Sequence, residues 1–377
     1  MEKFKASMLL GGVGDSMGYH DKEYEFQYCG KLIHEDVNKI TNGKGISALH
    51  LKGSSWKVSD DTVMMIATAE SLLDSVEKGF LVVDPQNPKI DLPKVMGIFA
   101  RKYVDCMNDM DNRMPGASVT GALLKIKDNP EEKWNSTPFR TLGGGCGAAM
   151  RSMPIGLLFH DYENPQILDL LISVSIESGR ITHHHPVGYL GGLVSALYIS
   201  FALHNLPIVE WGKKLLQIIK EKVPDYLEKA QRFAKENIDA VSTFIDHWEK
   251  YLKLRQIFGT DQNVPIFPDV YDIQERDDFY KSISFKGWGG SSGHDSVIIA
   301  YDALLGSKVN WEELCLRGVL HGGDSDSTGV IACSTYGALK GFKEVPELNY
   351  KDLEYHDRLI DLGEKLFKIS NYEEKQK

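Results

Sequence analysis

The spacing of apolar residues is the feature that most restricts the fold of this chain. Apolar residues recur at three- and four-residue intervals along most of the sequence, for example over residues 61–78, 92–107 and 188–204. This spacing places them on one face of an α-helix, and alternating apolar and polar runs long enough for a sheet are missing. The sequence therefore predicts an all-α fold.

Chain length and composition predict one compact domain. The chain has 377 residues, of which 42% are hydrophobic, enough to bury a substantial core. Glycine and proline mark short loops, and no linker-like stretch divides the sequence. We expect a single domain over residues 1–370 and a frayed polar tail over 371–377. Residues 211–255 are rich in Lys, Glu and aromatic residues and predict a solvated pair of amphipathic helices, 207–222 and 226–258.

Charge and cysteine content exclude several classes of protein. The net charge is -10 and no basic cluster is present, which argues against nucleic acid as a partner. The five cysteines are far apart and form no CxxC pair, so we expect a reducing, cytoplasmic location. The uncharged stretch 187–203 approaches the length of a membrane span, but its glycines and serines favour a buried core helix.

Two aspartate clusters give the sharpest functional signal. Ser59-Asp60-Asp61-Thr62 and Asp324-Ser325-Asp326-Ser327-Thr328 each precede an apolar helical run. Simple helix capping would explain one acid per cluster, not two. If the two helix starts meet, their carboxylates need cations to neutralise them, and the hard oxygen donors favour magnesium over zinc. The prediction of a metal site therefore depends on the two helix starts lying close together in the folded protein.

Several motifs, in this order along the chain, carry a resemblance to a known family: Gly14-Asp15, Ser59-Asp60-Asp61-Thr62, Gly144-Gly145-Cys146-Gly147-Ala148-Ala149-Met150-Arg151, Thr182-His183-His184-His185-Pro186 and Gly322-Gly323-Asp324-Ser325-Asp326-Ser327-Thr328. Together they resemble the ADP-ribosylglycohydrolase family. Tyr24-Glu25-Phe26 and Gly287-Trp288-Gly289-Gly290-Ser291-Ser292-Gly293-His294-Asp295 also match its arginine-specific branch. The resemblance spans about residues 1–370.

The resemblance implies a compact all-α fold that holds two Mg²⁺ ions between the clusters. The metal positions it implies are Ser59, Asp60, Asp61, Asp324, Asp326 and Ser327. Asp60, Asp61 and Glu25 are assigned to catalysis, with Asp60 preferred as the general base. Glu25 is expected to form part of a lid near the site; an ordinary surface acid is the alternative.

Substrate contacts are expected in glycine-rich loops. Glycines allow backbone N–H groups to approach a pyrophosphate, which makes Gly144, Gly145 and Gly147 candidates, although a tight turn between helices has the same composition. The run lacks the Lys-Ser/Thr ending of a P-loop. The resemblance adds Gly116, Ala117, Ser118, Arg151, Phe285, Lys286, Gly287, Ser291, Ser292 and Gly293. Phe285 can stack on a ligand but lacks the phenolic hydroxyl expected at this position.

Three consecutive histidines, His183 to His185, are candidates for metal binding or acid–base catalysis. Neighbouring residues on a helix point about 100° apart, so the three cannot share one target. We expect structural or capping roles, and keep His183 as a candidate ribose or phosphate contact. Cys146 has no base beside it in the sequence, so a nucleophilic role is not expected.

The implied activity is hydrolysis of the N-glycosidic bond between ADP-ribose and arginine side chains of mono-ADP-ribosylated proteins, releasing ADP-ribose. The expected partners are those proteins and ADP-ribose, without nucleic acid or membrane, and we expect a monomer. Three alternatives stay open: hydrolysis of a serine or O-acetyl linkage, a catalytically silent ADP-ribose-binding module, and a magnesium-dependent phosphohydrolase of a nucleotide diphosphate.

Overall fold

The computed structural model describes residues 1–259 and 264–373. In these ranges the chain forms sixteen α-helices, seven 3₁₀ helices of three residues each and one two-stranded antiparallel ribbon, β1 Leu81–Val82 and β2 Lys89–Ile90. The helices are α1 Glu2–Tyr19, α2 Gly30–Ile40, α3 Asp60–Glu77, α4 Leu92–Cys106, α5 Ala117–Ile126, α6 Pro130–Lys133, α7 Met153–Leu158, α8 Pro165–Arg180, α9 Pro186–Leu203, α10 Trp211–Ala230, α11 Ala234–Leu254, α12 Ile273–Ile283, α13 Asp295–Ser307, α14 Trp311–Gly318, α15 Ser325–Lys340 and α16 His356–Ile369. The predicted all-α fold is confirmed.

Three helices form the centre of the protein. All residues of α9 are buried, as is nearly all of α1 and α15. α15 packs against both α1 and α9, and α16 covers α1. Because these helices are buried on nearly every side, they lack the separate apolar and polar faces of a surface helix. Of the helices in the described ranges, α9 alone has the length and hydropathy to cross a bilayer, and here it is a fully buried core helix.

The central pair, α1 and α15, is packed unusually closely. A Cβ built on Gly14 would lie 2.2 Å from the carbonyl oxygen of Gly329, and one on Gly18 would lie 2.4 Å from that of Ser325. Further along, Ser7 and Ser334 share a hydrogen bond of 3.0 Å. The helices therefore run antiparallel with their backbones in contact, which sets the start of α15 against the end of α1.

The predicted boundary between the helices 207–222 and 226–258 is wrong. Pro224 lies inside α10, and the turn falls at residues 231–233, where Gln231 and Phe233 adopt positive φ angles of 53° and 50°. The apolar face of α10 continues past the proline through Val223 and Leu227, both buried, so packing outweighs the lost backbone hydrogen bond. The expected frayed tail covers residues 371–377, and residues 374–377 of it lie outside the described residues. The last helix, α16, ends before the tail, at Ile369.

Candidate active site

The first acidic cluster is fixed by Asp15, which lies on α1. Its carboxylate accepts hydrogen bonds from the backbone N–H of Ser59 (3.0 Å) and of Thr62 (3.0 Å), and from the Thr62 hydroxyl. The Ser59 hydroxyl caps the helix by accepting from the N–H of Asp61 at 3.1 Å. Because Ser59 and Asp15 satisfy the first turn of α3, capping does not account for the carboxylates of Asp60 and Asp61.

The second acidic cluster is held at the start of α15. The N–H of Asp324 donates to the carbonyl of Gly289 (2.8 Å), and the Ser325 hydroxyl donates to the carbonyl of Gly18 (2.9 Å). Oδ1 of Asp326 accepts from the N–H of Ser327 at 2.8 Å. These bonds tie the helix start to the end of α1 and to a loop before α13.

Glu25 belongs to the same cluster. The N–H groups of Phe26 and Tyr28 donate to the carbonyls of Gly323 (2.8 Å) and Gly322 (2.7 Å), which pins this segment beside α15. One carboxylate oxygen each from Glu25, Asp324 and Asp326 lie within 4.8 Å of one another. The segment predicted as a lid therefore places its carboxylate among the acids of α15.

The acids at the two helix starts also interact electrostatically. Burial, and then the charge of Asp326, raise the pKa values of both Asp60 and Asp61 well above the usual range. Burial followed by Glu25 raises the pKa of Asp324 to about 7, and burial followed by Asp326 raises that of Glu25 to about 9. The buried carboxyl groups of Asp60 and Asp61 thus repel those of the group formed by Glu25, Asp324 and Asp326, which disfavours their ionisation without cations.

The cluster fits a hard divalent cation. Carboxylate oxygens dominate the donor set, and this is the ligand type that magnesium prefers. Oδ2 of Asp61 is buried and has no hydrogen-bond partner among the described residues, although buried carboxylate oxygens are rarely left unpaired. A bound cation would satisfy it. The residues available to hold one are Asp60, Asp61, Glu25, Asp324 and Asp326.

Cys146 also reaches this cluster. Its thiol donates to Oδ2 of Asp324 (3.4 Å) and accepts from the Ser327 hydroxyl (3.5 Å). Burial, then Asp324 and Asp61, raise the pKa of Cys146 well above its usual range. A high thiol pKa agrees with the expectation that Cys146 is not a nucleophile.

Two glycine loops join to form a cleft of about 490 Å³. The N–H of Cys146 donates to the carbonyl of Ser291 (3.0 Å), and the N–H of Gly293 donates to that of Gly144 (2.9 Å), so the loops pair like two short antiparallel strands. The cleft is lined by Ser118, Thr141, Leu142, Gly144, Gly145, His185, Val187, Thr243, His247, Phe285, Lys286, Trp288, Ser291, Ser292 and His294. It combines backbone, hydroxyl, aromatic and imidazole groups.

Asp295 shapes the second loop. Its carboxylate accepts from the N–H of Phe285 (2.8 Å) and of Ser292 (2.8 Å), which closes the loop into a ring. The loop passes Gly290, whose φ of 117° is a conformation that side chains rarely allow, and a Cβ there would lie 3.0 Å from the carbonyl oxygen of Asp324. The loop that walls the cleft therefore rests directly on the acidic cluster.

The predicted substrate residues divide into two groups. Seven line the cleft, namely Ser118, Gly144, Gly145, Phe285, Lys286, Ser291 and Ser292. The others, Gly116, Ala117, Gly147, Arg151, His183, Gly287 and Gly293, lie beside or behind it. Gly116 and Ala117 begin α5, which has no side-chain cap. Its first-turn N–H groups are therefore open to an anion.

Arg151 differs from the expectation of a substrate contact. It is 1% exposed, and its guanidinium donates to the carbonyl of Ser178 (2.9 Å) and the hydroxyl of Thr182 (2.9 Å) while lying 4.3 Å from the Tyr103 ring centroid. These partners hold the side chain in the core behind the glycine loop. The structure assigns it a packing position.

The three histidines take three different positions. His183 supports the glycine loop from behind: a Cβ on Gly147 would lie 2.5 Å from its ring. His184 is buried, and its Nε2 accepts from Arg180 (3.1 Å). His185 caps α9 by accepting from the N–H of Val187 (3.2 Å), and its ring lines the cleft. The expected structural and capping positions are found, but it is His185 rather than His183 that faces the cleft.

The sequence reading missed several cleft residues. Thr243 and His247 come from α11, which carries no recognisable motif. The rings of His247 and His294 stack with centroids 3.8 Å apart, and burial followed by His247 lowers the pKa of His294 to about 3. The role of Asp15 in holding the start of α3 was also not predicted, although Asp15 belongs to the Gly14-Asp15 motif. No local signal links residue 247 to residue 294.

Comparisons with known proteins identify the family of this chain. The ADP-ribosylglycohydrolase family profile matches residues 1–375. The chain is 42% identical to ADP-ribosylhydrolase ARH1 of Dictyostelium discoideum over 97% of this chain and 93% of that protein. It is 24% identical to ADP-ribosylhydrolase ARH3 of Xenopus tropicalis over 98% of this chain and 96% of that protein.

A solved structure shares the fold. It is titled "ADP-ribosylglycohydrolase-related protein complex", and the match covers 98% of both chains with a TM-score of 0.56 and 18% sequence identity. At this identity the likeness concerns the fold alone. The match of the family profile over nearly the whole length shows that this chain belongs to the ADP-ribosylglycohydrolase family.

Proposed function

We propose that the protein is a magnesium-dependent hydrolase that removes ADP-ribose from arginine side chains of mono-ADP-ribosylated proteins. The observation that carries the proposal is the meeting of the two acidic helix starts in one buried cluster, where Glu25, Asp324 and Asp326 lie within 4.8 Å and Asp326 acts on Asp60 and Asp61. A cluster of this kind needs cations. We assign it two Mg²⁺ ions.

Arginine is the proposed leaving group on two grounds. The Tyr24-Glu25-Phe26 and Gly287–Asp295 segments match the arginine-specific branch, and both lie against the acidic cluster in the structure. The similarity to ADP-ribosylhydrolase ARH1 of Dictyostelium discoideum extends over 97% of the chain. Serine and O-acetyl linkages are the competing substrates within the family.

The site supports a hydrolytic mechanism. When bound, magnesium would orient the ribose hydroxyls and acidify a water molecule. Asp60 accepts the proton of the attacking water as general base. Glu25 covers the cluster, while the paired glycine loops and the start of α5 hold the diphosphate.

Ser59 and Ser327 complete the proposed metal positions. Both are buried, and the Ser327 hydroxyl contacts Cys146 at 3.5 Å. Ser59 already caps α3, so its hydroxyl oxygen must serve two roles if it binds a cation. We further propose a cytoplasmic monomer; the wide spacing of the five cysteines supports the location, and the acidic net charge argues against nucleic-acid binding.

The deciding experiment compares two peptides that differ only in the ADP-ribosylated residue, arginine or serine. We expect Mg²⁺-dependent release of intact ADP-ribose from the arginine peptide, loss of activity in EDTA and recovery on adding Mg²⁺. Preference for the serine peptide would reassign the linkage. Formation of AMP would indicate phosphoryl chemistry, and binding without turnover would indicate a silent module.

A further inference from the structure

A histidine and two acidic side chains meet at the end of α9, and none of them belongs to the acidic cluster. Asp161 and Glu163 lie on the loop between α7 and α8, and His204 directly follows α9. One ligand atom from each of these three residues, the α9 triad, lies within 4.8 Å of the other two. An imidazole nitrogen with two carboxylate oxygens is a donor set that zinc accepts.

Tyr162, which stands between the two acids in the sequence, holds their loop in place. Its side chain is buried, and its ring packs edge-on against Phe201 of α9, with centroids 4.9 Å apart, and against His204 at 5.0 Å. The Ser200 hydroxyl also donates to the carbonyl of His160, at the start of the loop. These contacts hold the loop to α9, so the meeting of the three side chains is built into the packing.

The ring of His204 is oriented to present Nε2 to a ligand. Its side chain is 7% exposed, and its Nδ1 lies 3.3 Å from the carbonyl oxygen of Ser200. Because a carbonyl oxygen only accepts, Nδ1 carries the proton, and Nε2 of the neutral ring has a lone pair. This Nε2 lies 3.2 Å from Oδ1 of Asp161, and a carboxylate oxygen also has only lone pairs to offer. A proton or a metal cation must therefore lie between the two atoms.

Glu163 favours the metal cation over the proton. A simple ion pair between His204 and Asp161 needs one carboxylate, whereas here a second carboxylate oxygen lies within 4.8 Å of the same pair. A protonated ring carries one positive charge, but a divalent ion balances both acids. The two acids also border a surface cleft of about 600 Å³, which has room for water to complete the coordination of an ion.

We propose that Asp161, Glu163 and His204 bind a Zn²⁺ ion, which fastens the loop between α7 and α8 to the end of α9. His204 contributes Nε2, each acid contributes one oxygen, and water takes the fourth position of a tetrahedral site. The carbonyl of Ser200 fixes the tautomer of the ring, as the second hydrogen bond of a metal-bound histidine usually does. Imidazole selects zinc over magnesium. The site is separate from the acidic cluster, and the inference does not depend on the proposed hydrolase activity.

The test is equilibrium dialysis of the full-length protein against Zn²⁺, with circular dichroism to check that each variant folds. His204→Gln and Glu163→Gln should each bind this ion about tenfold or more weakly, because even the loss of a hydrogen bond to a ligand costs that much. Glu163 is exposed, so its variant removes a donor without disturbing the core. The control His50→Gln breaks a histidine–aspartate pair, His50 to Asp352 at 2.6 Å, that belongs to no three-ligand group in the described part of the chain. If both triad variants bind Zn²⁺ as tightly as this control, His204 and Asp161 form an ion pair only and the proposal is overturned.

Co²⁺ in place of Zn²⁺ separates the α9 triad from the acidic cluster. Four-coordinate cobalt with a nitrogen ligand absorbs visible light strongly, whereas six-coordinate cobalt among oxygens absorbs weakly, so the band reports the geometry of the site. We expect a strong band in the wild type and in Asp324→Asn, and its loss in His204→Gln. A strong band that survives in His204→Gln or is lost in Asp324→Asn would place the ion elsewhere and overturn the inference. Neither result would change the case for the hydrolase, which rests on release of ADP-ribose.

Discussion

At the scale of single residues, the acids of the site have two roles. One acid holds the backbone in place, and others are available for metal binding and catalysis. The carboxylate of Asp15 accepts hydrogen bonds from the backbone N–H groups of Ser59 and Thr62, and the Ser59 hydroxyl caps α3. Asp60 and Asp61 are therefore not needed to cap α3, and their carboxylates remain in the cluster with Asp326. Their substitution should therefore affect chemistry more than folding.

We expect Asp60→Asn and Asp61→Asn each to lower kcat by about 100-fold or more, since a general base or a metal ligand is lost. A 100-fold loss corresponds to about 2.7 kcal/mol of transition-state stabilisation. Steady-state hydrolysis and circular dichroism check activity and fold. The control is Asp74→Asn, the same change on the same helix at a residue paired with Lys102 (3.0 Å). Wild-type turnover by a folded Asp60 or Asp61 variant would exclude that residue from the mechanism.

His184 gives a prediction about pH. Burial, and then Arg180, lower its pKa to about 3, and its Nε2 accepts hydrogen bonds that a protonated ring could not accept. The unfolded chain takes up this proton near pH 6.5 while the folded chain does not, so stability is lost as the pH falls below that value.

Replacing His184 should remove this effect. Between pH 6 and pH 4 we expect the unfolding free energy of His184→Asn to fall less steeply than that of the wild type, by about 1.4 kcal/mol per pH unit. Urea titrations at several pH values measure the two slopes. The comparison depends on the slopes and not on the absolute stability of the variant. Parallel slopes would mean that His184 is protonated in the folded protein.

At the scale of helices, the α1–α15 pair decides where the second acidic cluster lies. Gly14 and Gly329 allow the two backbones to touch, and a Cβ on Gly329 would lie 2.6 Å from the carbonyl oxygen of Gly14. Any side chain larger than hydrogen must push α15 away from α1. The start of α15, which carries Asp324 and Asp326, would move with it.

We therefore expect Gly329→Val to destabilise the protein by about 1–3 kcal/mol or more and to weaken Mn²⁺ binding. Gly121→Val on α5 is the control, because nothing lies within 4 Å of the Cβ position at Gly121. Denaturant unfolding and Mn²⁺ titration measure both effects. If Gly329→Val binds Mn²⁺ as tightly as the control, close packing of this pair is not needed to place the acids.

The longest helices were predictable from sequence, whereas several shorter ones and the packing partners of all of them were not. The apolar spacing over residues 61–78 and 92–107 predicted α3 and α4 to within one residue at each end, because it reflects burial of one face. The boundary between the helices 207–222 and 226–258 was misplaced, since tertiary packing carried α10 past Pro224. His247 escaped notice because its place in the cleft depends on how α11 packs, and no periodicity within one helix encodes that.

At the scale of the whole molecule, the fold concentrates charge from three distant segments. Residues near positions 25, 60 and 324 meet in one buried cluster, in a chain whose net charge is already -10. Folding without cations must keep some of these carboxyls protonated, as the raised pKa values of Asp324 and Glu25 indicate. A bound cation removes that cost and should stabilise the protein as a unit.

We expect Mg²⁺ to raise the melting temperature at neutral pH and EDTA to reverse the rise. A ligand at about 100 times its Kd stabilises the folded state by about 2.7 kcal/mol, which is enough for a shift of several degrees. Asp324→Asn should lose most of this shift. Asp361→Asn, an exposed change on α16 beside Lys365 (2.7 Å), should keep it. Both variants change the net charge equally, so equal shifts would mean that Mg²⁺ acts by general screening and not at the cluster.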